Sequence, residues 1–130
     1  MIGIIVCGHS SFASGIYSAY ELIAGACDHL KTIDFTIDDS IAMLEKKMNQ
    51  AIDSLNDCDD ILFMVDLLQG TPYFCAMKVA KQYPSKNIRV IAGTNLAMII
   101  ECSMARAIAN DIDSLVDMII NTGKEQMVKY

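Results

Sequence analysis

Four short runs of apolar, largely β-branched residues recur along the chain: Ile2 to Val6, Leu30 to Phe35, Ile61 to Val65 and Ile88 to Ala92. Each is nearly continuous and is followed by turn residues, the pattern of parallel strands buried on both faces. Between them the apolar period lengthens to that of helices. Phe12, Ile16, Tyr20 and Ile23 mark a helix over Phe12 to Ala26. From about Ser40 to Leu55, the residues Ile41, Leu44, Met48, Ala51, Ile52 and Leu55 make one stripe opposite Glu45, Lys46, Asn49 and Asp53. Asp38, Asp39 and Ser40 supply cap candidates for it.

A third helix is expected from near Pro72, where a missing N–H costs nothing, to near Tyr83-Pro84. A fourth spans about Leu96 to Ala109 and a fifth about Asp113 to Thr122, with Gly123 as its C-cap. Strands alternating with helices predict an α/β fold: one doubly wound, mostly parallel sheet flanked by helices on both faces. The tail Lys124 to Tyr130 is too short for a helix of its own and reads as a frayed end or an added edge strand.

The chain has 130 residues, which suits a single domain over residues 1–130. No apolar stretch reaches the roughly 20 residues that cross a bilayer. The opening lacks a basic n-region and a cleavage site, so a cytoplasmic location is expected. Five cysteines (Cys7, Cys27, Cys58, Cys75, Cys102) occur without a C-x-x-C pair, a pattern of reduced thiols. A net charge of −6 argues against nucleic acid as a partner, because phosphate backbones need a cationic surface.

Candidate chemistry lies in three loops at the carboxyl ends of the strands, where open parallel sheets bind their ligands. After the first strand comes Cys7-Gly8-His9-Ser10-Ser11, read as a turn that exposes an imidazole. After the third comes Asp66 with Gly70-Thr71-Pro72, and after the fourth Gly93-Thr94-Asn95. Imidazole offers an uncharged ring nitrogen at neutral pH and so can act as a nucleophile. Asp66 fits the role of the carboxylate that fixes its tautomer. Ser10, Gly70, Thr71 and Asn95 are candidates for holding a phosphoryl group beside a helix start.

Each piece has a structural reading too: a histidine after a strand can simply cap it, and an aspartate there can form an Asx-turn. His29, between Asp28 and Leu30 on the opposite edge, reads as a surface residue. Cys7-x-His9 lacks the three or four ligands of a zinc site, and no G-x-G-x-x-G or P-loop motif occurs, so neither a metal nor a cofactor is expected.

The ordered set Ile2-Gly3-Ile4-Ile5-Val6-Cys7-Gly8-His9 with Phe12-Ala13-x-Gly15, Val65-Asp66-x-x-x-Gly70-Thr71-Pro72, and Gly93-Thr94-Asn95-Leu96 with Met104-Ala105-Arg106 resembles the IIA component of the mannose family of the bacterial phosphoenolpyruvate:sugar phosphotransferase system. The resemblance runs over essentially the whole chain. It implies a phosphotransferase in which His9 accepts a phosphoryl group from the phosphocarrier HPr and passes it to a IIB component, with Asp66 and Thr71 at the family's aspartate and hydroxyl positions. It further implies indirect coupling to the membrane IIC and IID components, peripheral association with that complex, and a homodimer whose C-terminal edge strand is exchanged.

Where similar mannose-type members have Gly-Gly-Ser-Pro, this chain has Gln69-Gly70-Thr71-Pro72, followed by Tyr73-Phe74. That form and Phe12-Ala13-x-Gly15 look more like branches handling amino sugars such as galactosamine. Three other readings are a IIA-like phosphocarrier feeding dihydroxyacetone kinase, a receiver-like domain phosphorylated on Asp66, and a plain binding module. The receiver reading lacks the acidic pair that would hold Mg²⁺ after the first strand.

Overall fold

The first apolar run extends further than its composition suggests. In the computed structural model, which describes residues 1–130, β1 is Ile2–His9, so His9 is the last residue of a strand and the turn begins at Ser10. The reason is a ladder: β1 pairs with β2 (Leu30–Phe35) from Ile4↔Leu30 to His9↔Phe35, two residues beyond its pairing with β3 (Asp60–Val65), which ends at Cys7↔Val65. With β4 (Asn87–Ile91) the sheet has the order β2-β1-β3-β4, all parallel.

Residue parity divides the core. Ile2, Ile4 and Val6 of β1, with Leu62 and Met64 of β3, pack against α1 (Phe12–Ala24), α4 (Leu96–Ala105) and α5 (Ile112–Glu125). Ile5 and Cys7, with Ile61, Phe63 and Val65, pack against α2 (Ile41–Ser54) and α3 (Thr71–Ala80). Both faces of the central strands are thus covered, which is why they read as unbroken apolar runs. Fully burying each such side chain contributes about 1.5–3 kcal/mol.

Helix ends differ from the sequence reading for local reasons. Helix α1 stops at Ala24 because Gly25, at φ +78°, takes its C-cap. Helices α3 and α4 close at Ala80 and Ala105, short of Tyr83 and Ala109. Asp111 caps α5, accepting from the Ser114 N–H at 2.7 Å. Gly123 is not the C-cap: it is buried inside the last turn of α5, where a Cβ would lie 2.5 Å from Met98 Sδ of α4. Glycine here lets two helices approach. The tail adds no edge strand within the chain: Lys124 and Glu125 finish α5, and Met127, Val128 and Tyr130 are exposed. β4 is paired on one side only.

Of the three cap candidates before α2, Ser40 performs the capping, accepting from the Met43 N–H at 3.1 Å. Asp39 instead accepts from Lys47 Nζ at 2.7 Å and from the Thr36 N–H at 2.8 Å. These partners, Lys47 first, hold its carboxyl below the usual carboxylate value of 3.8. A depressed carboxyl stabilises the fold fully above its unfolded value and loses that contribution as pH falls through its folded value. An acid titration of thermal stability is therefore expected to fall more steeply below about pH 4 in the wild type than in Asp39→Asn. Parallel curves would show that the Asp39 pair contributes nothing.

Candidate functional site

Strand order reverses between β1 and β3: the chain leaves β1 for β2 on one side and later returns to β3 on the other. In parallel sheets this switch point opens a crevice at the carboxyl ends. His9 ends β1 and Asp66 directly follows β3, so the register that pairs Cys7 with Val65 sets the two side chains together. Asp66 Oδ2 accepts from the His9 backbone N–H at 2.9 Å and lies 2.8 Å from His9 Nδ1, while Oδ1 accepts from the Leu67 N–H at 2.9 Å. The carboxylate is held on both oxygens and has only acceptor capacity. In the neutral ring the proton therefore sits on Nδ1, and Nε2 keeps its lone pair.

Exposure divides along the same line. The His9 side chain is 44% exposed and that of Asp66 14%, so the carboxylate is sheltered and the imidazole is open to solvent. Phe35 meets the imidazole edge-on, with ring centroids 6.1 Å apart. Gly8 is required by this crowding: a Cβ there would lie 2.5 Å from Phe12 Cδ1 and 2.9 Å from Asp66 Cγ.

Ser10 and Gln69 both adopt left-handed backbone, at φ +51° and +63°, in the loops that follow β1 and β3. The Ser10 N–H donates to the Phe35 carbonyl at 2.8 Å, and its hydroxyl has no partner in the chain. Gly70 closes the second loop by donating to the Leu67 carbonyl at 3.2 Å. It then serves as the N-cap of α3 without a side-chain cap. The N–H groups of Thr71 and Tyr73 consequently have no acceptor in the protein, and they stand at the positive end of the helix.

A family model described as EIIA-man, the PTS system fructose IIA component, matches residues 3–120. The chain belongs to the EIIA-man family. It is 29% identical over 124 residues to the PTS system mannose-specific EIIAB component of Escherichia coli, which covers 95% of this chain and 38% of that longer protein. It is 29% identical over 101 residues to the PTS system fructose-specific EIIA component of Bacillus subtilis, 78% of this chain and 68% of that one. Among solved structures, the phosphotransferase system component EIIA from Streptococcus agalactiae superposes with a TM-score of 0.92 at 33% identity, covering 99% of this chain and 97% of its own. No helix of the EIIA-man chain is long and apolar enough to cross a membrane.

Not every expected residue joins the site. His9, Ser10, Asp66 and Gly70 come together, with Thr71 next along α3 and lining the α2–α3 cleft beside Ile41, Phe74 and Lys78. Asn95 does not: its side chain accepts from the Met98 N–H at 3.2 Å and donates to the Gly123 carbonyl at 3.1 Å. Both ends of the amide are spent on capping α4 and tying it to α5, so its expected phosphoryl-binding role is corrected to a structural one. Phe35 and Thr36, which line the cleft beside His9 and Ser10, escape a linear reading because only the β1–β2 pairing brings them there. Asp34, before them on β2, instead holds the start of α1, accepting from the Ser14 N–H at 3.0 Å.

Cys7, though next to the site, offers no accessible thiolate. It is wholly buried, and its thiol is pushed up to about 12, by burial first and by the Asp66 carboxylate second. The position of the ring depends instead on Gly70, whose Cβ, if present, would lie 2.9 Å from His9 Cε1. Gly70→Ala is expected to displace the imidazole and slow its reaction on the order of 10²-fold with the fold kept. Rapid-quench kinetics beside a thermal melt test this; an unchanged rate would show that the close approach does not position the ring.

Proposed function

We propose that this EIIA-man chain is a phosphoryl relay in which His9 Nε2 takes a phosphoryl group from phospho-HPr and yields it to a IIB component. The observation that carries this reading is the short Asp66–Nδ1 contact, which in the neutral ring puts the proton on Nδ1 and leaves the Nε2 lone pair free on a half-exposed side chain. The Nε2 lone pair attacks phosphorus in line, and the donor's P–N bond breaks with its electron pair leaving on the donor imidazole. Nδ1 keeps its proton throughout. The phosphorylated ring is then cationic, and the Asp66 carboxylate balances that charge. In the second step the Nε2–P bond breaks toward the acceptor's nucleophile and restores neutral His9.

Phosphoryl transfer through a loose transition state asks the protein chiefly for position and charge stabilisation. The unpartnered N–H groups of Thr71 and Tyr73, the α3 dipole and the Ser10 hydroxyl support that role here. A receiver-like reaction on Asp66 fits less well, since both carboxylate oxygens are engaged and the side chain is sheltered.

Transfer to a IIB component couples the chain indirectly to membrane IIC and IID partners. The Gly70-Thr71-Pro72 and Phe12-Ala13-x-Gly15 forms favour an amino-sugar branch. A second copy completes the sheet in this reading: the open β4 edge and the exposed apolar residues at 127, 128 and 130 favour exchange of the tail as an edge strand. Sedimentation of the chain with and without residues 126–130 tests that exchange; equal masses would remove it. Incubation with phosphoenolpyruvate, enzyme I, HPr and then candidate IIB domains tests the relay and its acceptor. Transfer to a dihydroxyacetone kinase subunit in place of every IIB would redirect the assignment.

A further inference from the structure

The amino-terminal edge of the sheet, at the far end of β1 from His9, carries a second cluster of ligating side chains. His29 immediately precedes β2, and Asp57 and Cys58 lie just before β3. The register that sets Leu30 beside Ile4 places His29 level with Gly3, six residues or roughly 20 Å along β1 from the relay histidine.

The backbone presents these groups firmly. His29 holds left-handed backbone at φ +58°, uncommon for a residue with a Cβ. Its carbonyl is fixed by the Ile4 N–H at 2.9 Å and by Arg106 Nη1 at 3.5 Å. His29 Nε2 meets Asp57 Oδ2 at 2.7 Å, and Cys58 Sγ lies 3.8 Å from Asp57 Oδ1. One nitrogen, one oxygen and one sulfur atom, one per residue, lie within 4.8 Å of one another. The other ring nitrogen, Nδ1, is buried with no partner in the protein, so with Nε2 as the ligand atom the ring proton would rest on Nδ1. The Cys58 backbone is anchored by its N–H to the Leu55 carbonyl at 2.9 Å and by Lys86 Nζ to its own carbonyl at 2.6 Å.

We propose that His29, Asp57 and Cys58 form a binding site for a thiophilic divalent cation of the zinc class, with water as the fourth ligand. Bonds of about 2.0–2.3 Å in a tetrahedron set ligand atoms roughly 3.3–3.7 Å apart, so closing the site asks for shifts of about 1 Å or less. Asp57, whose side chain is 62% exposed, supplies that movement, whereas Cys58 is fixed in the core.

Charge balances as well. Binding releases the thiol proton to solvent, and thiolate plus carboxylate neutralise the dication while the imidazole stays neutral. Sulfur and imidazole nitrogen select zinc or cobalt over magnesium or calcium, which prefer all-oxygen shells. His29 and Asp57 line an open cleft with Asp28, Lys31 and Ser54, through which water can reach the ion. Such an ion would staple the α1–β2 connection to the α2–β3 connection, beneath the first residues of β1.

The test is titration of the reduced 130-residue chain with Co²⁺, read by the near-ultraviolet thiolate-to-cobalt absorption, followed by displacement with Zn²⁺. One Co²⁺ per chain is expected, with the absorption lost in Cys58→Ser. Affinity should fall at least tenfold in Asp57→Ala, an exposed change, and in His29→Asn, which tolerates left-handed backbone. Since Cys58 is buried, these two variants keep the test valid if Cys58→Ser unfolds. No thiolate absorption from the folded wild type, absorption persisting in folded Cys58→Ser, or unchanged affinity in both other variants would overturn the site.

Discussion

Replacing His9 by alanine is expected to abolish phosphoryl acceptance from phospho-HPr, a fall of at least about 10⁴-fold in transfer rate. No neighbouring group can substitute. Asp66 is sheltered and engaged on both oxygens, Cys7 is a buried thiol pushed up to about 12, and His29 lies at the other end of the sheet. The side chain removed is half-exposed, and its backbone N–H still reaches Asp66, so stability should change by less than about 1 kcal/mol. Intact-mass analysis with a thermal melt separates lost chemistry from lost fold. Labelling of the variant at the wild-type rate would remove His9 from the reaction, and a label on Asp66 would favour the receiver reading.

Asp66→Asn is the second large effect, expected to slow transfer about 10²- to 10⁴-fold with the fold retained. The carboxylate accepts from three N–H groups, two on Oδ2 and one on Oδ1. An amide has only one oxygen to offer. With that oxygen toward His9, its NH₂ opposes the Leu67 N–H donor; turned over, the NH₂ opposes the His9 backbone N–H and donates to Nδ1. Donation to Nδ1 moves the ring proton to Nε2 and removes the attacking lone pair. In either orientation the negative charge that balances the phosphorylated ring is gone. Rapid-quench measurement of single-turnover transfer checks this, and a rate within a few-fold of wild type would exclude Asp66 from the mechanism.

The strands that build this site were legible because they are buried on both faces, which leaves an unbroken apolar run at Ile61 to Val65 and at Ile2 to Val6. Their alternation with amphipathic helices was enough for the sheet, its edge and the pairing of His9 with Asp66. The continuation of β1 through His9 was not, because it depends on a ladder to β2 that begins more than twenty residues later. Gly123 misled for a related reason: a glycine near a helix end looks like a stop, whereas here it accommodates Met98 from α4.

Asn95 shows a signal present in the sequence but given the wrong weight. Asparagine directly before an apolar helical run is a favoured N-cap, and that preference outweighs its location on a loop at the carboxyl edge. Loops sharing an edge need not share a ligand. The His29–Asp57 pair spans 28 residues, and nothing in the linear order distinguishes that histidine from a solvated one.

The most direct test of the relay is which nitrogen of His9 carries the phosphoryl group, read by phosphorus and nitrogen NMR of the chain phosphorylated through phosphoenolpyruvate, enzyme I and HPr. The Asp66–Nδ1 contact predicts a single phosphoryl group on Nε2, with Nδ1 still protonated. A phosphoryl group on Nδ1, or on Asp66, would contradict the mechanism.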